Sequence, residues 1–320
     1  MAEDFLVREE CESMYGSYPE ERSVEELIDF GYVIVDKPKG PTSHQVSAWV
    51  KKIFQIEKAG HAGTLDPKVT GVLPVALSRG TKIVNILHRS SKEYVCLMRI
   101  HKTVNERKLI QIMKEFEGTI YQIPPVRSAV KRRLRKRKVY KIEIIEIDMP
   151  FVLFRAEVSA GTYMRTLCTD IGLALGVGAH MQELRRTKTA HIAEDKCSTL
   201  QDIRDAYIFW KEDGEEKYIR KVLRPADELA EFLPKVYVKD YAVDALCHGA
   251  PLYVRGICKI SSNIKRKDLV AVYTLKNELV GIGRAEMRSE EIMMADKGIA
   301  IKMDRVVMPR GKYPKGWKSN

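Results

Sequence analysis

Between residues 42 and 233 the apolar positions fall into helical stripes and strand-like runs in turn. Val46, Trp49, Val50 and Ile53 form an i, i+3, i+4, i+7 set, which predicts a helix capped by Thr42 or Ser43. Leu109, Ile112, Met113 and Phe116 predict a second over residues 105–117, with Gly118 placed to end it. Met164, Leu167, Ile171 and Leu175 predict a third, started at Gly161-Thr162 with Thr162 as its cap. Shorter helices are expected over 81–87, after Ser198 and Gln201 (the spacing of a capping box), and onward to about residue 233.

The intervening runs read as strands. Residues 32–35 are short and apolar, and residues 92–101 carry apolar side chains on both faces, as in a sheet covered on both sides. Residues 118–123 return to strand before Pro124-Pro125. Over 139–148 the alternation slips phase between Ile144 and Ile145, which predicts a β-bulge. Residues 151–159 place Val152, Phe154, Ala156 and Val158 on one face, and the short break before them predicts an antiparallel pair. Residues 180–190 form another extended, basic segment.

From about residue 234 the texture changes to short strands, 236–238, 252–254, 269–274 and 279–282, joined by Gly- and Lys-rich turns. That pattern predicts a small β-barrel or sandwich. Residues 1–30 are Glu-rich with few apolar positions, and form either a tail or a segment that packs on a distant part of the chain.

Composition narrows the function classes. The 320 residues are 45% hydrophobic, enough for a proper core, and Lys+Arg exceeds Asp+Glu by 55 to 43. A pI of about 9.3 argues for a polyanionic partner. No apolar run approaches the roughly 18–20 residues that cross a bilayer, so nucleic acid is expected ahead of a membrane. The acidic start MAEDFLVREE lacks the layout of a signal peptide. The six cysteines are widely spaced with no C-x-x-C pair, so buried reduced thiols are expected in place of a zinc site or disulfide framework. Gly176-Val177-Gly178 follows a helix and is no dinucleotide fingerprint.

Three local features carry chemistry. In GHAGTLDPKVTGVLPVAL, residues 60–77, three glycines and Pro67 hold Asp66 on a rigid turn before an apolar run. An Asx turn alone would use the same residues. Arg165 falls in the first turn of its helix, where the dipole disfavours a cation, and so asks for an acidic partner elsewhere. Residues 127–138, RSAVKRRLRKRK, are basic and lie between two strands, which predicts a loop or hairpin that meets phosphate through Arg127, Lys131, Arg132, Arg133, Arg135 and Lys136. In HGAPLYVRG, His248, Gly249 and Arg255 make a second candidate group for the polyanionic partner.

The segments DKPKGPTSHQV, GHAGTLDPKVTGVLPVAL, KEYV, SAGTYMRTL and ELRRTKTA occur in the order of the TruB-type pseudouridine synthase motifs, and the chain closely resembles that family. QIPPVRSAVKRRLRKRKVY looks like the dyskerin branch, whose members work with H/ACA guide RNAs, and the C-terminal part resembles a PUA domain. The resemblance implies an α+β fold: a mixed, largely antiparallel central sheet with flanking helices, plus a small C-terminal PUA β-barrel. The implied division is an N-terminal extension, 1–30, packing with the PUA domain; a catalytic domain, 31–233; the PUA domain, 234–310; and a basic tail, 311–320.

By the same resemblance Asp66 matches the catalytic aspartate, Tyr94 the tyrosine that stacks on the target base, and Arg165 the arginine that pairs with the aspartate. Leu184 matches an apolar residue against the pocket, and Lys37 and His61 match pocket positions. The implied reaction breaks the glycosidic bond of a flipped-out uridine, turns the base over and rejoins it through C5, with no cofactor required. Asp66 has three possible jobs there: attack at the anomeric carbon, attack at C6 of the base, or removal of the 2′ proton. The implied partners are an H/ACA guide RNA, substrate rRNA and tRNA, a small zinc-binding H/ACA subunit, a small glycine/arginine-type β-barrel subunit and a kink-turn-binding ribosomal-protein-like subunit. Lacking the long lysine-rich tails of eukaryotic members, the sequence is closer to archaeal ones, which implies a cytoplasmic location. Three rival readings stand beside this: a guide-independent tRNA pseudouridine-55 synthase, a noncatalytic RNA-binding scaffold, and a glycosidase with a second carboxylate near Asp66.

Overall fold

In the computed structural model, which describes residues 4–124, 131 and 133–315, the chain divides into two units. One comprises residues 33–75 and 84–222; the other comprises residues up to 32, 76–83 and those from 223 onward.

The first unit is built on a mixed sheet. Its strands run in the order Gly31–Lys37, Thr70–Leu77, Ala179–Thr189, Lys92–Ile100, Phe151–Val158, Arg135–Asp148, Gly118–Gln122. Thr70–Leu77 pairs with Ala179–Thr189 in parallel, opposing Gly71 to Arg186. From there to Gly118–Gln122 every pairing is antiparallel. The predicted bulge is present, since the register against Phe151–Val158 shifts between Ile144 and Glu146.

Helices Glu106–Glu115 and Met164–Leu175 contribute Leu109, Met113, Leu167 and Ile171 to the core on one sheet face. Only that face of Lys92–Ile100 is fully buried: Cys96, Met98 and Ile100 are covered and Arg99 is exposed, which corrects the expectation of a strand buried on both sides. Helix Ser43–Ile53 starts at Thr42, whose hydroxyl accepts from the Gln45 amide while the Gln45 side chain accepts from the Thr42 amide. Its Val46 and Val50 are buried, whereas Trp49 lies outside the core.

Other boundaries move by a residue or more. Met164–Leu175 is preceded by Tyr163, not Thr162, because the Thr162 hydroxyl instead donates to the Ser159 carbonyl. The capping box of Leu200–Asp213 is Thr199 with Asp202, one residue beyond the expected pair. Residues 81–87 fall in two short 3-10 turns, Ser78–Lys82 and Val84–Arg89, and the helix expected up to 233 is Glu216–Val222 followed by extended and 3-10 segments.

In the second unit seven strands run in the order Phe5–Val7, Ile257–Ser261, Lys235–Val238, Leu269–Thr274, Leu279–Ala285, Ile299–Val306, Leu252–Tyr253. Val236, Val270, Val272, Val280 and Ile301 form part of its core. Helices Asp240–Cys247 and Ser289–Met294 join it, neither of which the strand pattern disclosed. The N-terminal segment is tied in closely. Phe5 opposes Ser261, Arg8 donates to the carbonyls of Met293 and Ala295, and Arg22 makes a buried forked pair with Asp227. Cys11 and Cys258 form a disulfide with Cα atoms 6.2 Å apart, so the expectation of six reduced thiols is corrected to four, Cys96, Cys168, Cys197 and Cys247. A separation of 247 residues hid the pair, because only the strand pairing brings Cys11 beside Cys258.

Candidate active site

The loop that carries Asp66 is pinned from beneath at successive points. The Leu65 amide donates to the Ser43 hydroxyl at 2.9 Å, and that hydroxyl donates back to the Leu65 carbonyl. Lys37, wholly buried, donates to the carbonyls of Pro67 and Val69 at 3.3 and 2.8 Å. Arg186 donates to Gly63 and Val72 at 3.0 and 2.8 Å. Asp66 itself stays exposed, and its own carbonyl accepts from the Val69 amide.

The loop forms one wall of a cleft of about 560 Å³ in the first unit. Asp66, Tyr94, Arg165 and Leu184 all line it, drawn from the loop, two neighbouring strands and the start of helix Met164–Leu175. Arg165 Nη2 lies 2.9 Å from Asp66 Oδ2. Asp66 is the one carboxylate among the described lining residues, beside Arg165, Arg186, Lys92 and His88. That composition counts against the carboxylate-pair glycosidase reading, which needs a second acid across the cleft. A cavity of this size holds a nucleobase, and its cationic surround suits a polyanion.

Lys37 and His61 lie outside the cleft lining. Lys37 sits behind the loop, where burial lowers its pKa against the opposing pull of Asp66. His61 packs edge-on against His44, ring centroids 5.4 Å apart, and burial, with His44, His88 and Arg186, lowers its pKa to about 4. Sequence reasoning passed over Arg186 and Lys92. Lys92 is buried with its ammonium donating to the Leu87 and Ser90 carbonyls at 2.7 Å, and burial, with Arg186 nearby, lowers its pKa to about 8. Arg185 and Arg186 are adjacent on one strand and so face opposite sides, and no local signal says which is the buried one.

The basic run ends in a hairpin: Gly118–Gln122 pairs antiparallel with the start of Arg135–Asp148. Lys131, Arg133 and Lys136 are exposed and Arg135 half-buried, while Arg127 and Arg132 lie outside the described residues. Arg137, in the same run, donates to the carbonyl of Gly161, which lines the cleft. His248, Gly249 and Arg255 belong to the other unit. There His248 caps helix Asp240–Cys247 and stands 3.7 Å from Asp244, Gly249 follows it, and Arg255 donates to the Asp296 carbonyl. Among the described residues, no group of three or more His, Cys, Asp or Glu side chains is placed to hold a metal ion. No described helix is long and apolar enough to cross a membrane.

Comparison with known proteins places this mixed sheet and its cleft in the pseudouridine synthase class. Four family profiles match the chain: "TruB family pseudouridylate synthase (N terminal domain)" over residues 51–164, "tRNA pseudouridylate synthase B C-terminal domain" over 165–231, PUA domain over 234–307, and DKCLD domain over 3–47. A probable tRNA pseudouridine synthase B of Methanocaldococcus jannaschii is 55% identical, covering 99% of this chain and 95% of its own. That of Archaeoglobus fulgidus is 53% identical, covering 99% and 98%. Among solved structures, a Cbf5–Nop10–Gar1 complex contains a chain 55% identical with a TM-score of 0.94, covering 98% and 97%. An H/ACA RNP bound to a substrate RNA containing 2′-deoxyuridine contains one 53% identical with a TM-score of 0.93, covering 99% and 98%. The chain belongs to the TruB family of pseudouridylate synthases, in the branch that carries DKCLD and PUA domains.

Proposed function

We propose that the chain is the catalytic subunit of an H/ACA guide-RNA ribonucleoprotein that isomerises uridine to pseudouridine in rRNA, with Asp66 as the essential carboxylate. The observation that carries this reading is the Asp66–Arg165 pair, 2.9 Å apart in a cleft whose other side chains include Tyr94 and Leu184. Arg165 holds the carboxylate in one orientation. Tyr94 offers a ring on which a flipped base stacks, and Leu184 gives the base an apolar edge. So placed, the carboxylate can act on the anomeric carbon, on C6, or on the 2′ proton.

The close likeness to chains solved with Nop10 and Gar1, and within an H/ACA RNP holding substrate RNA, supports a guide RNA and small protein subunits as partners. These are a zinc-binding subunit, a glycine/arginine-type β-barrel subunit and a kink-turn-binding ribosomal-protein-like subunit. Residues 31–233 serve as the catalytic domain, and 234–310 as an RNA-binding domain with 1–30 packed on it, in keeping with the pairing of Phe5–Val7 on Ile257–Ser261. Kinship with archaeal proteins supports a cytoplasmic location. Lys131, Arg133, Arg135 and Lys136 contact phosphate, so removing them makes the fall of RNA affinity with salt shallower. A slope equal to that of the unaltered chain would remove them from the interface.

A second reading, guide-independent modification of tRNA uridine 55, is favoured by the relatives' description as probable tRNA pseudouridine synthase B. The test of both is tritium release from C5-labelled uridine, on rRNA and tRNA substrates, with and without guide RNA and subunits. Asp66→Asn is expected to bind RNA normally and release no tritium. Substantial turnover by that variant would sink the catalytic assignment, and full rRNA turnover without guide RNA would sink the guided one.

A further inference from the structure

Strand Ala179–Thr189 carries two consecutive arginines with opposite fates. Arg185 meets carboxylates, Asp36 at 2.9 Å and Glu194 at 2.7 Å. Arg186 is 1% exposed and, among the described residues, meets none. Its Nε donates to the Val72 carbonyl and its Nη2 to the Gly63 carbonyl, and Tyr94 is its register partner on the neighbouring antiparallel strand Lys92–Ile100. Burial lowers its pKa, and Tyr94 is the main group pulling the other way. Gly63 and Val72, the latter already in strand Thr70–Leu77, flank the loop that carries Asp66, and Tyr94 lines the same cleft.

One guanidinium therefore ties the two flanks of the loop together beside the strand that carries the aromatic. The loop is cut to fit Arg186, its guanidinium at Gly63 and its backbone at Gly71. A Cβ on Gly63 would lie 3.0 Å from Arg186 Nη1, and one on Gly71 would lie 2.2 Å from the Arg186 carbonyl oxygen. A buried cation that donates to backbone carbonyls, with no carboxylate partner among the described residues, is costly compared with a neutral donor, so packing alone does not account for it. We propose that Arg186 is a positioning residue for the isomerisation, fixing the Asp66 loop at a set distance from the Tyr94 ring. The proposal rests on Asp66 being the reacting carboxylate. Only 1% exposed, Arg186 acts through the loop.

The test uses the full chain under conditions where it turns over, with Arg186→Ala and Arg186→Lys, and Asp66→Asn in parallel. A misplacement of about 1 Å at a reacting group costs about 10²-fold, so kcat of Arg186→Ala is expected to fall by that order while KM and RNA affinity hold. Low-millimolar guanidinium, entering by the cleft, is expected to raise kcat again, and urea at equal concentration is not. Arg186→Lys keeps the charge without the fork and is expected to lose kcat with KM unchanged, which carries the test should the alanine variant not fold. Wild-type kcat in the lysine variant, or loss of kcat together with RNA affinity and thermal stability without guanidinium rescue, would overturn the proposal. If Asp66→Asn keeps full turnover, the catalytic reading fails instead.

Discussion

Arg165 approaches Asp66 to 2.9 Å from the first turn of helix Met164–Leu175, the position where the helix dipole least favours a cation. The carboxylate that offsets this arrives from a loop far away in sequence. Both side chains are partly exposed, 41% and 51%, so the pair adds little to stability, about 0–1 kcal/mol. Its effect is on orientation. Arg165→Met is therefore expected to melt within a few degrees of the unaltered protein while kcat falls about 10²–10³-fold, as when one electrostatic partner is lost from a reaction centre. Single-turnover kinetics beside a thermal melt check this, and an unchanged rate would reduce the pair to a surface contact.

Gly71 has φ +103° and opposes Arg186 across the parallel pairing. Gly71→Ala places a methyl against the Arg186 carbonyl in a conformation that L residues rarely adopt. Backbone strain alone costs about 1–3 kcal/mol, and the clash adds to it. Denaturant unfolding measures the loss. A variant as stable as the parent would show that the loop relaxes freely and is not clamped.

Lys92 gives a pH dependence of known sign. Its folded pKa of about 8 is below the usual lysine value, so between about pH 8 and 10.5 the unfolded chain holds a proton that the folded chain has released. This group's contribution to stability therefore rises with pH across that window and is flat below it. Comparing the parent with Lys92→Met by thermal melts from pH 7 to 10.5 isolates the slope. It should be shallower in the variant, since Lys37 still contributes in the same sense.

The Cys11–Cys258 disulfide predicts a thiol count. Titration of denatured protein should find four free thiols before reduction and all six after. A cross-link closing so long a loop is typically worth about 2–4 kcal/mol, so reduction, or Cys11→Ser, should lower the melting temperature. Six free thiols without reduction would show the bond to be absent.

How far the sequence could be read follows from the range of each signal. The turn that presents Asp66, the stripe Leu109–Met113, the bulge after Ile144 and the basic hairpin all depend on neighbours within a turn or a strand pair, and all were legible. Cap positions slipped by a residue at Thr199 and Tyr163, because Ser and Thr hydroxyls have competing local acceptors and only the folded backbone chooses among them.

What local order left open was decided by pairings between distant segments. The parallel alignment of Gly71 with Arg186 turns that arginine inward and leaves Arg185 to the carboxylates. The docking of Phe5–Val7 on Ile257–Ser261 joins Cys11 to Cys258, and the approach of a helix start to a glycine-rich loop joins Arg165 to Asp66. By itself the sequence determined which elements form and, through its motifs, which residues are candidates for the chemistry, since periodicity, caps, turns and motif order are read along the chain. Only the tertiary structure decided which charge is buried beneath the loop and which faces the cleft. A strand shows both of its faces equally until its neighbours are in register.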